Sequence, residues 1–135
     1  MNIRKTTESD LKVFAPAHHD ILEAEAMGIP PVLPEASECV TMDLNGFPLA
    51  IGGNRGDQVW FVTSDQVWTL SRTLKLQFHK CICQYRDAML EVYPMIWNYV
   101  WVGNHPHIRF LKSIGAEFGE ITRCGKFQLF VITRR

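Results

Sequence analysis

Residues 95–118 constrain the fold of this chain more than any other stretch, because the period of the hydrophobic pattern changes within them. As far as residue 102 the side chains alternate between two faces, which predicts a strand covered on both sides. Beyond it the spacing is helical. Asn104 can cap a helix, Pro106 is tolerated in its first turn, and Gly115 can supply the left-handed residue that ends it. The stretch therefore predicts a βα unit, with any functional site near the carboxyl end of its strand.

The composition of the chain predicts one globular domain, residues 1–135, long enough to bury a core without metals or disulfides. Its 14 basic and 14 acidic residues balance, so no global charge attracts it to nucleic acid or to an anionic membrane. No apolar run reaches the roughly 20 residues that span a bilayer, and the amino terminus is too polar for a secretory signal. We therefore expect a cytoplasmic protein that binds neither nucleic acid nor membranes, with its 4 cysteines as thiols.

Before residue 95 the pattern switches between strand and helix signals. Thr7 and Asp10 form a capping box at the start of a first helix, which ends before Pro16. Asn45-Gly46 is the strongest short hairpin signal in the chain. The other expected helices are 18–27 and 72–93, and the expected strands are 3–6, 38–44, 47–51 and 59–63. Between them we expect a proline-rich extended loop at 29–36, a turn at 52–57 and a polar connection at 64–71. After residue 118 the chain is expected to close with a hairpin of 119–122 with 126–133.

The long helix at residues 72–93 carries apolar side chains on two sides. The main stripe recurs at spacings of three and four, as in a core-facing helix, and consists of Leu74, Phe78, Cys81, Tyr85, Met89 and Val92. Leu76, Cys83 and Leu90 are spaced by seven and lie nearly opposite. This second stripe predicts that another helix or a partner chain covers that side, which would make the protein a homo-oligomer if the partner is a second copy.

The order of these elements resembles the GNAT fold of acyl-CoA N-acyltransferases over nearly the whole chain. Residues 3–11, Ile-Arg-Lys-Thr-Thr-Glu-Ser-Asp-Leu, are similar to the family's Ile-Arg strand and acidic-Asp-Leu helix entry. Asn104, residues 110–115 and Phe118 resemble the asparagine-capped fourth helix and its Leu-Gly-Phe-like ending. The resemblance implies an α/β (α+β) fold, in which a mixed central sheet of about six to seven strands carries about four helices on its two faces.

The resemblance further implies transfer of an acyl group, such as acetyl from acetyl-CoA, to an unidentified amine substrate. Direct attack of this kind needs one group that deprotonates the amine and another that protonates the departing thiolate. The family often places a Glu base on or near the strand meander. Glu38, Asp43 and Asp57 lie nearest to that place in this sequence, and the competing interpretation of each is a solvated carboxylate.

The family's acid is a Tyr in the fourth helix, and here Leu111 holds that place. Tyr99 or Tyr93 would have to approach the thiolate from a different direction. His105, at the entry of the fourth helix, could touch a ligand or act as the base; its alternative is an exposed histidine at a helix start. The catalytic candidates from sequence are therefore Glu38, Asp57, Tyr99 and His105.

The resemblance also places a CoA-binding loop between the fourth strand and the long helix. There the family's Arg/Gln-x-x-Gly-x-Gly/Ala motif cradles the pyrophosphate with backbone N–H groups. Residues 67–72 hold those places without a glycine, so side chains such as Trp68 and Leu70 crowd the approach. The implied cofactor contacts are Phe61, Val62, Thr63, Ser71, Arg72, Thr73, Asn98 and Asn104. For Asn98 the interpretation that competes with a cofactor contact is a core side chain bonded to the backbone.

Two other groups of residues have simpler structural interpretations. Trp97, Tyr99 and Trp101 predict a cross-strand aromatic ladder in the core rather than a stacking platform for a ligand. Residues two apart on a helix point to opposite sides, so His79, Cys81 and Cys83 do not predict a metal site. A nucleophilic Cys/His pair stays open, although the sequence suggests no third group that would orient it.

The size, the absence of the loop glycines and the closing Phe-Gln-Leu-Phe-Val-Ile-Thr-Arg-Arg also resemble a second, narrower family, the small GNAT-like assembly-associated proteins of T7-like podoviruses. This resemblance implies a role in virion morphogenesis, in the host cytoplasm, on a non-catalytic acyltransferase fold. Two hypotheses follow: an acetyl-CoA-dependent N-acyltransferase, or an assembly protein whose ligand is a protein partner.

Overall fold

A seven-stranded mixed sheet forms the centre of the part of the chain that the computed structural model describes, residues 1–29 and 33–134. The strand order is β1-β2-β3-β4-β5-β7-β6, and all neighbours are antiparallel except β4 and β5. The strands are β1 (Asn2–Lys5), β2 (Val40–Leu44), β3 (Phe47–Arg55), β4 (Gln58–Thr63), β5 (Met95–Trp101), β6 (Glu117–Ile121) and β7 (Phe127–Thr133).

Helices pack on both faces of this sheet. They are α1 (Glu8–Val13), α2 (His18–Ala26), α3 (Arg72–Val92) and α4 (His105–Ser113). On one face α3 and α4 share a core with β5 and β7, centred on Met89, Leu111 and Val100. On the other face Phe14, which follows α1, packs against Ile51 of β3. The predicted α+β architecture of a mixed sheet between helices is confirmed.

Local signals in the sequence set the chain reversals where they were expected. Asn45 and Gly46 both have positive φ, 52° and 87°, as a tight two-residue hairpin requires. Gly115 follows α4 with φ 96°. Thr7 and Asp10 form the predicted capping box, and the Asn104 side chain accepts a hydrogen bond from His107 N at the start of α4. These contacts depend on neighbours in sequence, which explains why sequence patterns found them.

The predicted turn at residues 52–57 is wrong, because β3 continues through Arg55 and only Gly56-Asp57 reverses the chain. Gly52 is a strand residue that no larger residue could replace without a shift: a Cβ there would lie 2.6 Å from the Trp60 carbonyl oxygen. The sequence predicts Gly52 and Gly53 as turn residues, whereas in the structure they allow close packing within the sheet. The expected strand at 38–44 is also shorter, since residues 36–38 form a 3-10 turn before β2. Part of the proline-rich loop, residues 30–32, lies outside the described residues.

The second apolar stripe of α3 is not one surface. Leu90 is buried in the core at 7% exposure, Cys83 is half-buried, and Leu76 is 64% exposed. Val92, predicted to face inward, is 69% exposed at the end of the helix. The second stripe, expected to be covered by another helix or by a partner chain, is therefore divided. Leu90 and Cys83 pack into the core of this chain, because the sheet and α4 wrap further around the carboxyl half of this helix than its sequence period indicates, whereas Leu76 stays exposed.

The strand β5 is covered on one face only. Ile96 and Val100 are buried beneath α3 and α4, whereas Tyr99 on the other face is 46% exposed. Its ring meets the half-buried ring of Trp97 edge to face, with centroids 6.0 Å apart. Of the aromatic ladder predicted from Trp97, Tyr99 and Trp101, the first two side chains do meet and Trp101 is half-buried. The expected place of the ladder in the core is wrong, because α1 packs over β3 and leaves Tyr99 on an open part of the sheet.

An ion-pair cluster joins β1, α1 and β2. The Arg4 guanidinium donates to both carboxylate oxygens of Asp10, at 2.7 and 2.9 Å, and to Asp43 at 2.8 Å. Asp10 is 4% exposed and also accepts from the Thr7 N–H. The hydrogen bond from Arg4 holds the pKa of Asp10 well below its usual value of 3.8, and that of Asp43 is lowered by the same guanidinium.

This cluster predicts a specific acid sensitivity. Because the folded-state pKa of Asp10 lies below the unfolded value, its contribution to stability is present above pH 4 and is lost as the pH falls below about 4. We expect Asp10→Asn to lower the free energy of unfolding by about 1–3 kcal/mol at pH 7. In urea titrations from pH 7 to 3 the difference from wild type should shrink; a difference independent of pH would contradict the assignment. Exposed Asp65→Asn is the control.

Candidate functional site

The strands β4 and β5 separate after a single paired position, and this splay is the candidate functional site. Gln58 is opposite Trp97, and the Trp97 N–H donates to the Asp57 carbonyl at 3.1 Å; no further pairing between these strands occurs in residues 1–29 and 33–134. A cavity of about 110 Å³ begins in the splay and extends beneath α3 and α4. It is lined mainly by apolar side chains, among them Val59, Phe61 and Leu111. The βα unit of residues 95–118 therefore does border a crevice.

Asn98 closes the narrow end of the splay. Its side-chain amide donates to the Val59 carbonyl of β4 at 2.8 Å, and its oxygen accepts from Gln58 Nε2 at 3.2 Å and from the Tyr99 N–H at 2.7 Å. One side chain thus replaces the backbone ladder that the diverging strands cannot form. These partners match the structural interpretation of Asn98 as an amide bonded to backbone groups.

Asp20, on α2, reaches the wide end of the splay on the β4 side. Its carboxylate accepts from the Thr63 N–H at 3.0 Å, from the Thr63 hydroxyl at 3.2 Å and from Asn104 Nδ2 at 3.0 Å. The side chain of Asp20 is only 8% exposed. Burial by itself raises its pKa, but His107, Asn104 and the Thr63 N–H stabilise the carboxylate and hold the pKa below the ordinary value.

Glu23 lies one turn further along α2 and accepts a hydrogen bond from β5. Its carboxylate oxygen accepts from the Trp101 N–H at 2.7 Å. Burial raises the pKa of Glu23 above the ordinary value, against the opposing effects of nearby His107 and the Trp101 N–H. Two carboxylates of one helix therefore take a backbone donor from each of the two diverging strands.

His107 completes this polar cluster. Its Nδ1 lies 3.8 Å from the Asp20 carboxylate, and its ring stacks on Phe61 of β4 with centroids 4.5 Å apart. Asn104, 1% exposed, joins the cluster to the start of α4 and donates its backbone N–H to the Trp101 carbonyl at 2.9 Å. We call Asp20, Glu23, Asn104 and His107 the splay cluster. It ties α2, β4, β5 and α4 together.

The catalytic candidates from sequence are not brought together. Glu38 is exposed in the turn before β2, and His105 is exposed at the start of α4. Asp57 lies at the closed end of the splay, where its carboxylate accepts from Trp97 Nε1 at 2.9 Å. Tyr99 presents its ring on the open face of β5. The fourth candidate base, Asp43, is held by Arg4 as described above.

The predicted cofactor contacts divide into two groups. Phe61, Thr63, Asn98 and Asn104 do lie along the splay, whereas Val62 points to the opposite face and packs in the cluster around Phe14. The three residues at the start of α3 are exposed; among them the Ser71 hydroxyl caps the helix by accepting from the Leu74 N–H at 3.2 Å, and the others are Arg72 and Thr73.

The loop that would hold a phosphate is folded on itself. Residues Asp65–Thr69 form a 3-10 helix whose N–H groups are used locally: Gln66 donates to the Ser64 hydroxyl at 3.1 Å and Val67 to the Ser64 carbonyl at 3.1 Å. Val67 is buried at 4% exposure, and Trp68 is 46% exposed beside it. These groups do not form the open cradle that a pyrophosphate needs.

The place of the family's acid is a core position. Leu111 is 1% exposed and packs with Val100 and Phe130 between α4 and the sheet. It lines the cavity and offers no proton. Neither the acid nor the phosphate loop that the sequence resemblance associates with acyl transfer is therefore present at its expected position.

One cysteine lies within contact distance of a histidine on α3. Cys83 Sγ lies 3.7 Å from His79 Nδ1 on α3, and His79 Nε2 lies 3.2 Å from the Ser113 carbonyl, so an orienting group absent from the sequence interpretation does exist. Neither residue lines the cavity in the splay. Residues 1–29 and 33–134 contain no cluster of three His, Cys, Asp or Glu side chains that could hold a metal ion. Over the same residues, no helix has the length and apolar character to cross a membrane.

Sequence reasoning missed three members of the splay cluster: Asp20, Glu23 and His107. One signal could have found the first two, since acidic residues three apart on a short helix share a face. His107 is at the third helical position after its cap, Asn104, and so points back toward that cap. The sequence contains no signal that α2 packs across the ends of β4 and β5.

Several solved structures with a similar fold are acetyltransferases. The chain is similar to the aminoglycoside acetyltransferase AAC(6')-Ib in complex with paromomycin and acetyl-CoA, with a TM-score of 0.61 and 18% identity over 98% of this chain and 93% of that one. It is similar to the ribosomal-protein-alanine N-acetyltransferase of Brucella melitensis, with a TM-score of 0.62 and 10% identity over 99% and 100% of the two chains. For the GNAT domain of S. lividans PAT the TM-score is 0.60 and the identity 12%, over 95% and 88%. The strand order, the splay and these likenesses define a GNAT fold.

Sequence comparison gives the particular family. Residues 38–122 match the family model described as bacteriophage T7, probable scaffold protein Gp13. The chain is also 67% identical over 135 residues to the probable scaffold protein gp13 of Escherichia phage T7, which covers 99% of this chain and 98% of that protein. The chain belongs to the phage Gp13 family.

Proposed function

We propose that this protein is a virion-assembly protein that uses a GNAT fold to bind protein partners and does not transfer acyl groups. The observation that carries the proposal is that α2 closes the wide end of the splay. Asp20 and Glu23 accept hydrogen bonds from Thr63 N and Trp101 N, one donor on each strand. Phe61, Thr63 and Asn104, which the resemblance implies as cofactor contacts, border this end of the splay beside Asp20, so the chain itself closes the approach that a cofactor would need.

Displacing those carboxylates would be costly. Asp20 has three hydrogen-bond partners and little exposure, and an acceptor withdrawn from a buried donor leaves a penalty of about 1–3 kcal/mol for each donor left unpaired. The folded 3-10 loop and Leu111 add two further departures from an acyltransferase site. These residues do not fit acetyl-CoA.

The description of the T7 relative supports the assembly role. That protein, 67% identical over nearly all of this chain, is called a probable scaffold protein. At this level of identity we propose that the role carries over, with structural proteins of a virion as partners and the host cytoplasm as the place of action. A phage T7 lacking gp13 should yield more infectious particles when the host expresses this chain than when it does not; equal yields would contradict the assembly role.

Acetyl-CoA should leave the thermal stability of this protein unchanged. A ligand at about 100 times its dissociation constant stabilises a protein by about 2.7 kcal/mol, which moves the midpoint of a domain of this size by several degrees. We expect a shift below about 1 °C at millimolar acetyl-CoA, measured by calorimetry, because the splay donors are occupied. AAC(6')-Ib, whose structure holds acetyl-CoA, is the positive control.

A saturable shift of several degrees would overturn the proposal and favour the competing function, acetyl transfer to an amine. One observation favours that competitor: the fold of a structure with bound acetyl-CoA extends over 98% of this chain. It would require Asp20 and Glu23 to leave the strands, so cofactor binding should then be tighter in the double variant Asp20→Ala, Glu23→Ala.

A further inference from the structure

We propose that Cys83 is a site of reversible covalent modification by small disulfides, with His79 as the base that takes up the thiol proton. The Cys83 Sγ lies 3.7 Å from Nδ1 of His79, which is one turn earlier on α3. A cysteine beside a base that is itself oriented by a third group has the arrangement of an activated nucleophile. The pair lies outside the splay, and this inference does not depend on the proposed assembly function.

The contacts of His79 Nε2 decide which nitrogen of the neutral ring carries the proton. Nε2 lies 3.2 Å from the Ser113 carbonyl oxygen and 3.2 Å from the Ser113 hydroxyl oxygen. The carbonyl can only accept, and the hydroxyl donates its own hydrogen to the Phe110 carbonyl at 2.6 Å. Nε2 is therefore the donor, which leaves the lone pair of Nδ1 facing Cys83 as an acceptor for the thiol proton.

The reaction that this geometry supports is thiol–disulfide exchange. The proton of Cys83 passes to His79 Nδ1 while Sγ attacks one sulfur of a disulfide R–S–S–R. A bond forms between Sγ and that sulfur, the S–S bond of the reagent breaks, and the released R–S⁻ takes the proton from His79. One disulfide replaces another, so the step needs no further oxidant, and a free thiol reverses it.

An open groove next to this pair leaves room for the group R. Arg86 and Asp87 follow Cys83 by three and four residues, so they share its face of α3. Both line a groove of about 620 Å³, and Ser113, which orients His79, lines the same groove from the end of α4. Because Cys83 itself is half-buried, we expect it to react with low-molecular-weight disulfides rather than with bulky ones.

The other three cysteines are the comparison for Cys83. Cys39 and Cys81 are buried, and burial raises the pKa of both thiols, so they should react slowly. Cys124 is exposed, and hydrogen bonds with the Thr122 hydroxyl and the Lys126 N–H lower its pKa, so it should react as well. The variant Cys124→Ser removes this competing thiol and is the background for the experiment.

Exposure to hydroxyethyl disulfide at pH 7, followed by mass spectrometry, tests the site. In the Cys124→Ser background the folded protein should gain a hydroxyethylthio group at Cys83, and a thiol reductant should remove it. His79→Gln deletes the base but keeps a donor for Ser113, so we expect modification of Cys83 to slow about tenfold or more. Gln84→Ala, an exposed and uncharged change on α3, is the matched control and should leave the rate unchanged.

Three results would overturn the proposal. They are modification of Cys39 or Cys81 ahead of Cys83, a rate at Cys83 that His79→Gln leaves unchanged, and a difference between these two proteins that persists in concentrated urea, where the folded contact is lost. His79→Leu, which keeps an apolar contact with the Phe110 ring, is a second variant with the same expected loss of rate. Thermal midpoints measured beside the rates separate loss of the base from loss of folding.

Discussion

Replacing Asp20 with alanine should lower the free energy of unfolding by about 3–5 kcal/mol, because it removes the acceptor of a buried network and leaves its donors without partners. The donors are the Thr63 N–H, the Thr63 hydroxyl and the Asn104 amide, at 3.0, 3.2 and 3.0 Å. His107 would lose its nearest carboxylate at the same time. The thermal midpoint should fall by roughly 10 °C or more in calorimetry.

Glu25→Ala is the matched control for this change. Glu25 is an exposed carboxylate on the same helix, so its removal should alter stability by less than about 0.5 kcal/mol. If Asp20→Ala were as mild as the control, the carboxylate would not hold α2 on the strands, and the central observation behind the non-catalytic proposal would fail. Asp20→Asn should be intermediate, since it keeps one acceptor oxygen but turns a donor toward other donors.

Replacing Leu111 with alanine should lower the free energy of unfolding by about 3–4 kcal/mol. Leu111 is 1% exposed and lies between Val100 and Phe130 at the wall of the 110 Å³ cavity. Deleting its branched end enlarges a void that rigid strands and two helices surround, so the structure cannot collapse to refill it. The loss of stability should be measured by urea unfolding, and we expect the m-value to stay unchanged.

Two variants bracket the Leu111 experiment. Leu111→Met keeps the volume and should cost less than about 1.5 kcal/mol. Leu76→Ala removes a leucine that is 64% exposed on α3 and should cost less than about 0.5 kcal/mol. A loss for Leu111→Ala no greater than that of Leu76→Ala would show that this position is not part of the core, and would reopen the question of a functional side chain there.

Much of the fold could be predicted because its signals are local. The change of period in residues 95–118, the Asn45-Gly46 hairpin and the capping box of Thr7 and Asp10 all depend on residues a few positions apart. The same local reasoning wrongly predicts a turn at Gly52, because a glycine is needed there to let β3 approach Trp60 on the neighbouring strand closely. A turn glycine and a packing glycine look alike in sequence.

The candidate site could be predicted in place but not in content. Phe61, Thr63 and Asn104 lie near the carboxyl ends of β4 and β5, where folds of this type leave a crevice, and Asn98 lies at the narrow end of the same splay; their role as cofactor contacts stays a prediction. Asp20, however, is 43 residues from the Thr63 N–H that it accepts from. No period or motif in one sequence connects positions so far apart.

The sequence by itself determined the βα unit of residues 95–118, the capped helices, the hairpins and the absence of loop glycines, since each follows from backbone propensity and short-range hydrogen bonding. Only the tertiary structure decided which side chains close the wide end of the splay. The strands β4 and β5 diverge after one pair, and α2 packs where its Asp20 and Glu23 can satisfy the N–H groups that the divergence leaves free. Buried backbone donors must find acceptors, and which acceptor is near is set by packing across the whole chain.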